Sequence, residues 1–258
     1  MTAMTTSTDR PDASPQTRAR RWYTEPERLT LSLRHDRRIT PWYSQFTCDA
    51  LVHLRGGIET GRILDVGCGE GMLLEMLGNA FPGAHIQGIE PNATCAAIAR
   101  DRAPDCVVVE APAEKLEPEP ADVDLVVMQL NLGLFDDAQA AIRRAVRRLG
   151  ADGLLYITDT SRTGVHAATN PHESHSLDEF LADQTAASLT AGELAQVIAT
   201  ATHDLPVTVH VGDGLLGLPE ADPRLHDFLV RHPRHARWAT RRDSGPALLF
   251  AQIWRSPR

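Results

Sequence analysis

The sequence predicts an α/β fold: a mostly parallel sheet of seven strands, helices on both faces, and a helical segment ahead of the first strand. Three observations carry this. Short apolar runs alternate with helix-spaced segments from residue 62 to residue 160. The run DVDLVVMQL (122–130) is almost continuously apolar, as in strands buried on both faces. The first run, RILDV (62–66), empties into the glycine-rich turn GCGEG. Strand–helix alternation of this kind specifies a parallel sheet with crossover helices.

The chain has 258 residues, 42% of them hydrophobic, and a net charge of −8. One decorated domain fits that length. Residues 1–18 are rich in Thr, Ser, Pro and Ala and have little to bury, which predicts a disordered tail. Residues 19–58 carry Trp22, Tyr23, Trp42, Tyr43 and Phe46 in an amphipathic pattern, which predicts two or three helices that could act as a lid. The remainder, 59–258, is the sheet domain. Its helices are expected at 71–81, 92–103, 136–149 and 189–204, the last opened by a Thr190–Glu193 capping box. Further strands are expected at 84–90, 106–110, 153–160, 206–211 and 247–254. Two stretches break the rhythm, near 161–188 and 212–246. Insertions at strand ends are where α/β proteins hold substrates.

Composition narrows the function. The acidic balance argues against a nucleic-acid partner. No apolar run reaches the roughly 18 residues of a membrane helix, so no membrane partner is expected. The N-terminal residues lack the apolar region of a secretory signal, and a cytoplasmic location is the expectation. Cys48, Cys68, Cys95 and Cys106 have no C-x-x-C spacing, which predicts reduced thiols and no zinc site. His172 and His175 have ligand-like spacing but lack a convincing third ligand, so no metal is expected; with His166 they are candidate bases in the insertion. The acid-free stretch Arg231–Arg242 reads either as a solvated helix face or as a clamp for an anionic substrate group. Oligomeric state stays open, with a homodimer as one candidate.

The glycine turn is the most informative stretch. Glycines between a strand and a helix let the backbone approach a ligand, and the helix N–H groups point at it. Gly67 and Gly69 would suit a nicotinamide fingerprint, but position 72 is Met; Walker A fails for want of the Lys-Ser/Thr pair. What stands is Gly67-Cys68-Gly69-Glu70-Gly71 with Asp65 two residues upstream, and a second acid, Glu90, in GIEPN at the end of the second strand. ILDVGCGEG followed by GIEPN resembles the class I S-adenosylmethionine-dependent methyltransferases, over about residues 60–160 and more loosely over 189–254.

That resemblance implies a Rossmann-like sheet and S-adenosylmethionine as cofactor. Asp65 would hold the methionine ammonium, the Gly67, Cys68, Gly69 and Gly71 backbone would skirt the methionine and ribose, and Glu90 would accept both ribose hydroxyls, with Pro91 limiting the strand exit. The competing structural reading makes Asp65 a helix cap and Glu90 a solvated strand end. The family's Asp-Ala-Glu-like run after the third strand is Ala111-Pro112-Ala113-Glu114 here, so only Ala113 carries over, toward the adenine.

Methyl transfer is an in-line displacement at a good leaving group, so positioning and desolvation dominate. The active face would be the end of the fourth strand, where Gln129 and Asn131 could orient an acceptor or, for Gln129, touch the cofactor. For Asn131 the alternative is service to loop backbone. Tyr23 is the lid aromatic best suited to the site, with Trp22 and Tyr43 beside it, because aromatic faces attract cations and its hydroxyl can bond a polar substrate. The expected acceptor is a small molecule of specialised metabolism. A second reading keeps the cofactor but lets its own amine attack the γ-carbon, giving azetidine-2-carboxylate and methylthioadenosine. A third is a non-catalytic binding module.

Overall fold

The computed structural model describes residues 13–56, 61–117, 120–162, 175–213, 223–239 and 247–256. Its strands are β1 (Arg62–Val66), β2 (His85–Ile89), β3 (Val107–Val109), β4 (Val123–Gln129), β5 (Leu149–Ser161), β6 (Val207–Asp213) and β7 (Ala247–Arg255). They form one sheet in the order β3-β2-β1-β4-β5-β7-β6. Only β7 runs against its neighbours. The chain steps outward from β1 to β3, then returns to place β4 on the other side of β1. This reversal opens a crevice at the C-terminal ends of β1 and β4, the place where doubly wound sheets bind ligands.

Helix starts follow local chemistry. α3 (Met72–Ala80) begins after Gly71 in the left-handed region, at φ 79°. α4 (Ala93–Arg102) is capped by Asn92 and α5 (Ala138–Arg148) by Asp137. α7 (Ala191–Thr202) opens with the expected Thr190–Glu193 box, both of its reciprocal bonds formed.

Two cores flank the sheet. On one face Tyr43, Phe46 and Leu51 of α2 (Pro26–Arg55) pack with Leu74 and Leu77 of α3 and Phe228 of α8 (Pro223–Arg231). On the other, Ile142 and Val146 of α5 meet Leu194 and Ile198 of α7. Each buried side chain of this size stabilises by about 1.5–3 kcal/mol. A third cluster joins Trp22 of α1 (Pro15–Thr24) to Leu177 and Phe180 of α6 (His175–Ala187).

Two expectations change. Part of the expected tail is helical: Ser14 caps α1 by accepting from Thr17 N–H, and Pro15 occupies the first turn. The face carrying Ala19 and Trp22 is buried, which supplies the order that composition alone did not promise. The expected lid segment, in turn, divides. α1 and the start of α2 cover the crevice, whereas the second half of α2 is a core helix. Within the two insertions, α6 and α8–α9 (α9, Pro233–Ala239) are helical; residues 163–174, 214–222 and 240–246 lie outside the described residues, and with them His166 and His172.

Candidate active site

A cavity of about 980 Å³ opens at the crevice, between the ends of β1, β2, β4 and β5 and the helices α1, α2 and α6. Asp65, Gly67, Cys68, Gly69, Glu90, Pro91, Ala113, Gln129, Asn131 and Tyr23 all line it. Of the residues expected on the cofactor side, Gly71 alone does not. A Cβ at position 71 would come within 2.8 Å of Ala99 Cα, so this glycine lets α3 and α4 approach each other.

The other two glycines of the turn have different tasks. A Cβ on Gly67 would lie 2.4 Å from Asn131 Nδ2; its absence lets the Asn131 amide cross from β4 and donate to Val66 O. Gly69 has φ +54° and open space where its Cβ would be, on the cavity side.

The two acids sit in strongly contrasted surroundings. Asp65 is buried, and no partner reaches its Oδ2. It does not cap α3, whose N-cap is Gly71. Burial, reinforced by the charge of Glu90, pushes its carboxyl up to about 7. Glu90 is 8% exposed, so it is no solvated strand end. Its Oε2 accepts from Gly69 N–H at 3.0 Å and its Oε1 from Asn92 N–H at 2.8 Å. Burial raises this group too, opposed by the two N–H donors. Cys68 is a buried thiol whose titration burial drives upward, so it is no nucleophile at neutral pH.

These residues fit the cofactor that the motif implies. A buried carboxylate oxygen without a partner is costly unless a cation or donor meets it. Glu90 is held by backbone on one side and faces the cavity on the other. Pro112 and Ala113 form a further stretch of wall.

At the end of β4, Gln129 Nε2 donates to Ser44 Oγ at 2.9 Å, while its Oε1 is buried without a partner. Asn131 does serve backbone through Nδ2, yet its Oδ1 is also buried and unpartnered. Leu130 between them has φ +55°, a left-handed conformation that costs about 1–2 kcal/mol in a non-glycine residue and is common where function fixes the backbone.

Sequence reasoning missed two acids. Asp159, at the end of β5, lines the cavity and accepts from Leu132 N–H at 2.9 Å and Thr160 N–H at 2.7 Å. Burial raises it to about 6, with those donors opposing. The signal was available, since an acid closes the apolar run GLLYITD in the same way Glu90 closes β2. Asp36 on α2 accepts from Tyr23 Oη at 3.3 Å, and burial raises it to about 7, with the Tyr23 bond opposing and the Glu70 charge adding. Its neighbours in the string RHDRR disguise it as part of a basic surface. Tyr23 itself is raised well above the usual phenol range by burial and then by Asp36.

Other expectations fall away from the cavity. Trp22 packs on Phe180 with ring centroids 5.3 Å apart and donates from Nε1 to Asp183, and Tyr43 is buried in the core. Of the basic stretch, Arg231 pairs with Asp227 at 2.9 Å and Arg234 is exposed; neither lines the cavity. Among the described residues, no group of three or more His, Cys, Asp or Glu is placed to hold a metal ion, and no helix is long and apolar enough to cross a membrane.

Residues 63–153 match the family described as a methyltransferase domain. Over that stretch, which includes ILDVGCGEG and GIEPN, the chain is similar to methyltransferase domains. The trans-aconitate 2-methyltransferase of Paracidovorax citrulli (strain AAC00-1) is 32% identical over 96 residues, 37% of each chain. Its namesake in Escherichia coli (strain 55989 / EAEC) is 33% identical over 95 residues, again 37% of each. The match thus spans little more than a third of these relatives' length. The likeness in fold reaches much further. The crystal structure of the plantazolicin methyltransferase BamL, in complex with a triazolic desmethylPZN analog and SAH, superposes with a TM-score of 0.82 over 93% of this chain and 95% of that one, at 24% identity.

Proposed function

We propose that this protein transfers the methyl group of S-adenosylmethionine to an amino group of a small molecule or short peptide, inside the cavity between the glycine turn and the lid. The observation that carries the reading is a pair of acids, buried Asp159 and half-buried Asp36, on the cavity wall beyond Asp65 and Glu90. Two carboxyls without a partnering cation in a confined site favour a cationic guest. Of the arginines that line the cavity, Arg20 and Arg37 are already paired, with Asp136 and Glu70.

Bound S-adenosylmethionine supplies an electrophilic methyl on a sulfonium. Asp65 would hold its ammonium and Glu90 its ribose hydroxyls. Pro112 and Ala113 flank the adenine. The free oxygens of Gln129 and Asn131 orient the acceptor's N–H groups toward the methyl. An amine must shed a proton to become a nucleophile. Asp159, near 6, is ionised at neutral pH and accepts that proton; a base poised near the working pH suits the task. Tyr23 fixes Asp36 and closes the wall against water.

The cavity also bears on the cyclase reading. At about 980 Å³ it stands at the upper end of the range for ligand sites, with room beside a cofactor for an acceptor. The test begins with S-adenosylmethionine alone and mass spectrometry of the products. The expected result is no turnover above the no-enzyme control, then S-adenosylhomocysteine and a methylated product once a panel of amines and amino-terminal peptides is added. Methylthioadenosine with an equal amount of an amino-acid product would overturn methyl transfer and establish the cyclase.

A further inference from the structure

We propose that Asn92 couples the two halves of this site, so that filling the cofactor side closes the lid on the acceptor side. The inference rests on the reading above for what fills the cofactor side; its geometry stands on its own.

Every polar group of Asn92 other than its carbonyl has a separate destination. Its backbone N–H donates to Glu90 Oε1 at 2.8 Å. Its side-chain Oδ1 accepts from Thr94 N–H at 2.9 Å and Cys95 N–H at 3.1 Å, capping α4. Its Nδ2 donates to the carbonyl of Tyr23 at 2.6 Å, across 69 residues of sequence. Two N–H donors on one side and a carbonyl on the other fix which amide atom is which. Tyr23 is the second-last residue of α1, and its hydroxyl donates to Asp36. A continuous series of hydrogen bonds thus runs from Glu90 through Asn92 and Tyr23 to Asp36, from one wall of the cavity to the other.

A second bond reinforces it. Arg37, next to Asp36, grips Glu70 of the glycine turn with two N–H groups, one of them at 2.8 Å. The lid is therefore fastened to both loops that flank the cofactor side. By contrast, α1 holds to α6 through Trp22, Phe180 and Asp183, none of which touches those loops. Arg20 of α1 also pairs with Asp136 ahead of α5, so a lid that follows the loops carries α6 with it and must keep or exchange that exposed pair. Asn92 is accordingly a positioning residue: it acts on the acceptor through Tyr23 and Asp36. Linkage makes the effect reciprocal, since a ligand on either side raises affinity on the other.

The two side-chain functions of Asn92 reside on different atoms, which gives a clean test. Asn92→Asp keeps an oxygen to cap α4 and replaces the donor facing Tyr23 O by an acceptor. Asn92→Ser also keeps a capping oxygen, cannot span to Tyr23, and adds no charge beside Glu90. S-adenosylhomocysteine is titrated into each protein by calorimetry, and amide hydrogen exchange is followed over residues 15–37 with and without it. In the unaltered protein the ligand is expected to slow exchange in this segment about tenfold, within the range of coupled sites. Both variants are expected to melt near the parent temperature, and Asn92→Ser to bind the ligand, yet neither to show that protection. Protection as large in the Asn92→Ser complex as in the parent would overturn the proposal. Failure of the unaltered protein to bind S-adenosylhomocysteine would instead overturn the functional reading.

Discussion

The wall of the cavity at the ends of β1, β2 and β4 and the wall formed by the lid are built differently. On the strand side, each polar group lies within two or three residues of a strand end, and backbone fixes the geometry of Glu90 and Asn131, though Gln129 leans on Ser44 of α2. Glu90 is held by the N–H groups of Gly69 and Asn92, and Asn131 by the carbonyl of Val66. On the lid side, side chains meet across long stretches of sequence. Arg37 reaches Glu70 across 33 residues and Trp22 reaches Asp183 across 161. Backbone-built sites are rigid before any ligand arrives. A site built by long-range side chains on helices can open, and its stability depends on each partner. The contrast suggests that the strand wall recognises a constant ligand and the lid wall a variable one.

The largest effect is expected where the two walls meet. Asp159 belongs to the strand wall by its backbone bonds and faces the acceptor. Asp159→Asn should lower methyl transfer by about 10²–10⁴, the usual worth of a general base, while leaving S-adenosylhomocysteine affinity nearly unchanged. Asp36→Asn should cost less, because Asp36 is a lid residue that shapes the guest's surroundings. Steady-state kinetics with the best amine acceptor decides. An equal or larger loss for Asp36→Asn would move the base to the lid.

That division also marks what could be read in advance. The positions of the strands, the glycine turn, and the placement of Asp65, Glu90, Gln129 and Asn131 on the cavity wall were legible because they are local: an apolar run, then a turn residue or a polar residue at its end. Asp159 obeys the same rule and was there to be read. Asp36 was not, since its role exists only through Tyr23, 13 residues away, and through burial beneath α1. The α1 helix was hidden for a related reason. Its sequence has a single large buried residue, Trp22, and its order derives from α6, on the far side of the chain. Gly71 was misplaced into the ligand wall because a motif records that a glycine is needed and not what would collide with a larger residue.

A smaller effect, with a definite sign, is expected at Asp65. Its carboxyl titrates near 3.8 when free and about 7 when buried here. Between these values the unfolded chain has released the proton and the folded one retains it. Stability of the ligand-free protein therefore falls as pH rises through this window, and a further rise brings no more loss from this group. Asp65→Asn removes the penalty, so it should melt higher than the parent at neutral pH and the same below about pH 4. Affinity for S-adenosylhomocysteine should move oppositely. The parent should bind more tightly as pH rises toward 7 and the carboxylate forms. The variant should bind about 10–100-fold more weakly at neutral pH, the worth of a hydrogen bond to a charged group, with a flatter pH profile. Differential scanning calorimetry and titration calorimetry across pH read both. A variant that melts lower at neutral pH would mean that Asp65 has structural partners on the strand wall.

The smallest effects on binding are expected at Gly71, and two alanines within the glycine turn separate fold from function most sharply. Both positions have positive φ, so each substitution carries a backbone cost of about 1–2 kcal/mol. At Gly71 the new methyl would also press on Ala99 at 2.8–2.9 Å, forcing α3 away from α4. Such overpacking adds about 1–3 kcal/mol. Gly71→Ala should thus lose the most stability yet, in its folded fraction, bind S-adenosylhomocysteine nearly as the parent does. At Gly69, a residue of the cavity wall, the methyl meets nothing within 4 Å. Gly69→Ala should melt only slightly lower and lose more affinity than its stability loss explains. Thermal melts paired with binding isotherms would show the crossing. If both variants lost stability and affinity in the same proportion, the strand wall would owe its ligand site to the stiffness of the turn as a whole, and the distinct task assigned to each glycine would be wrong.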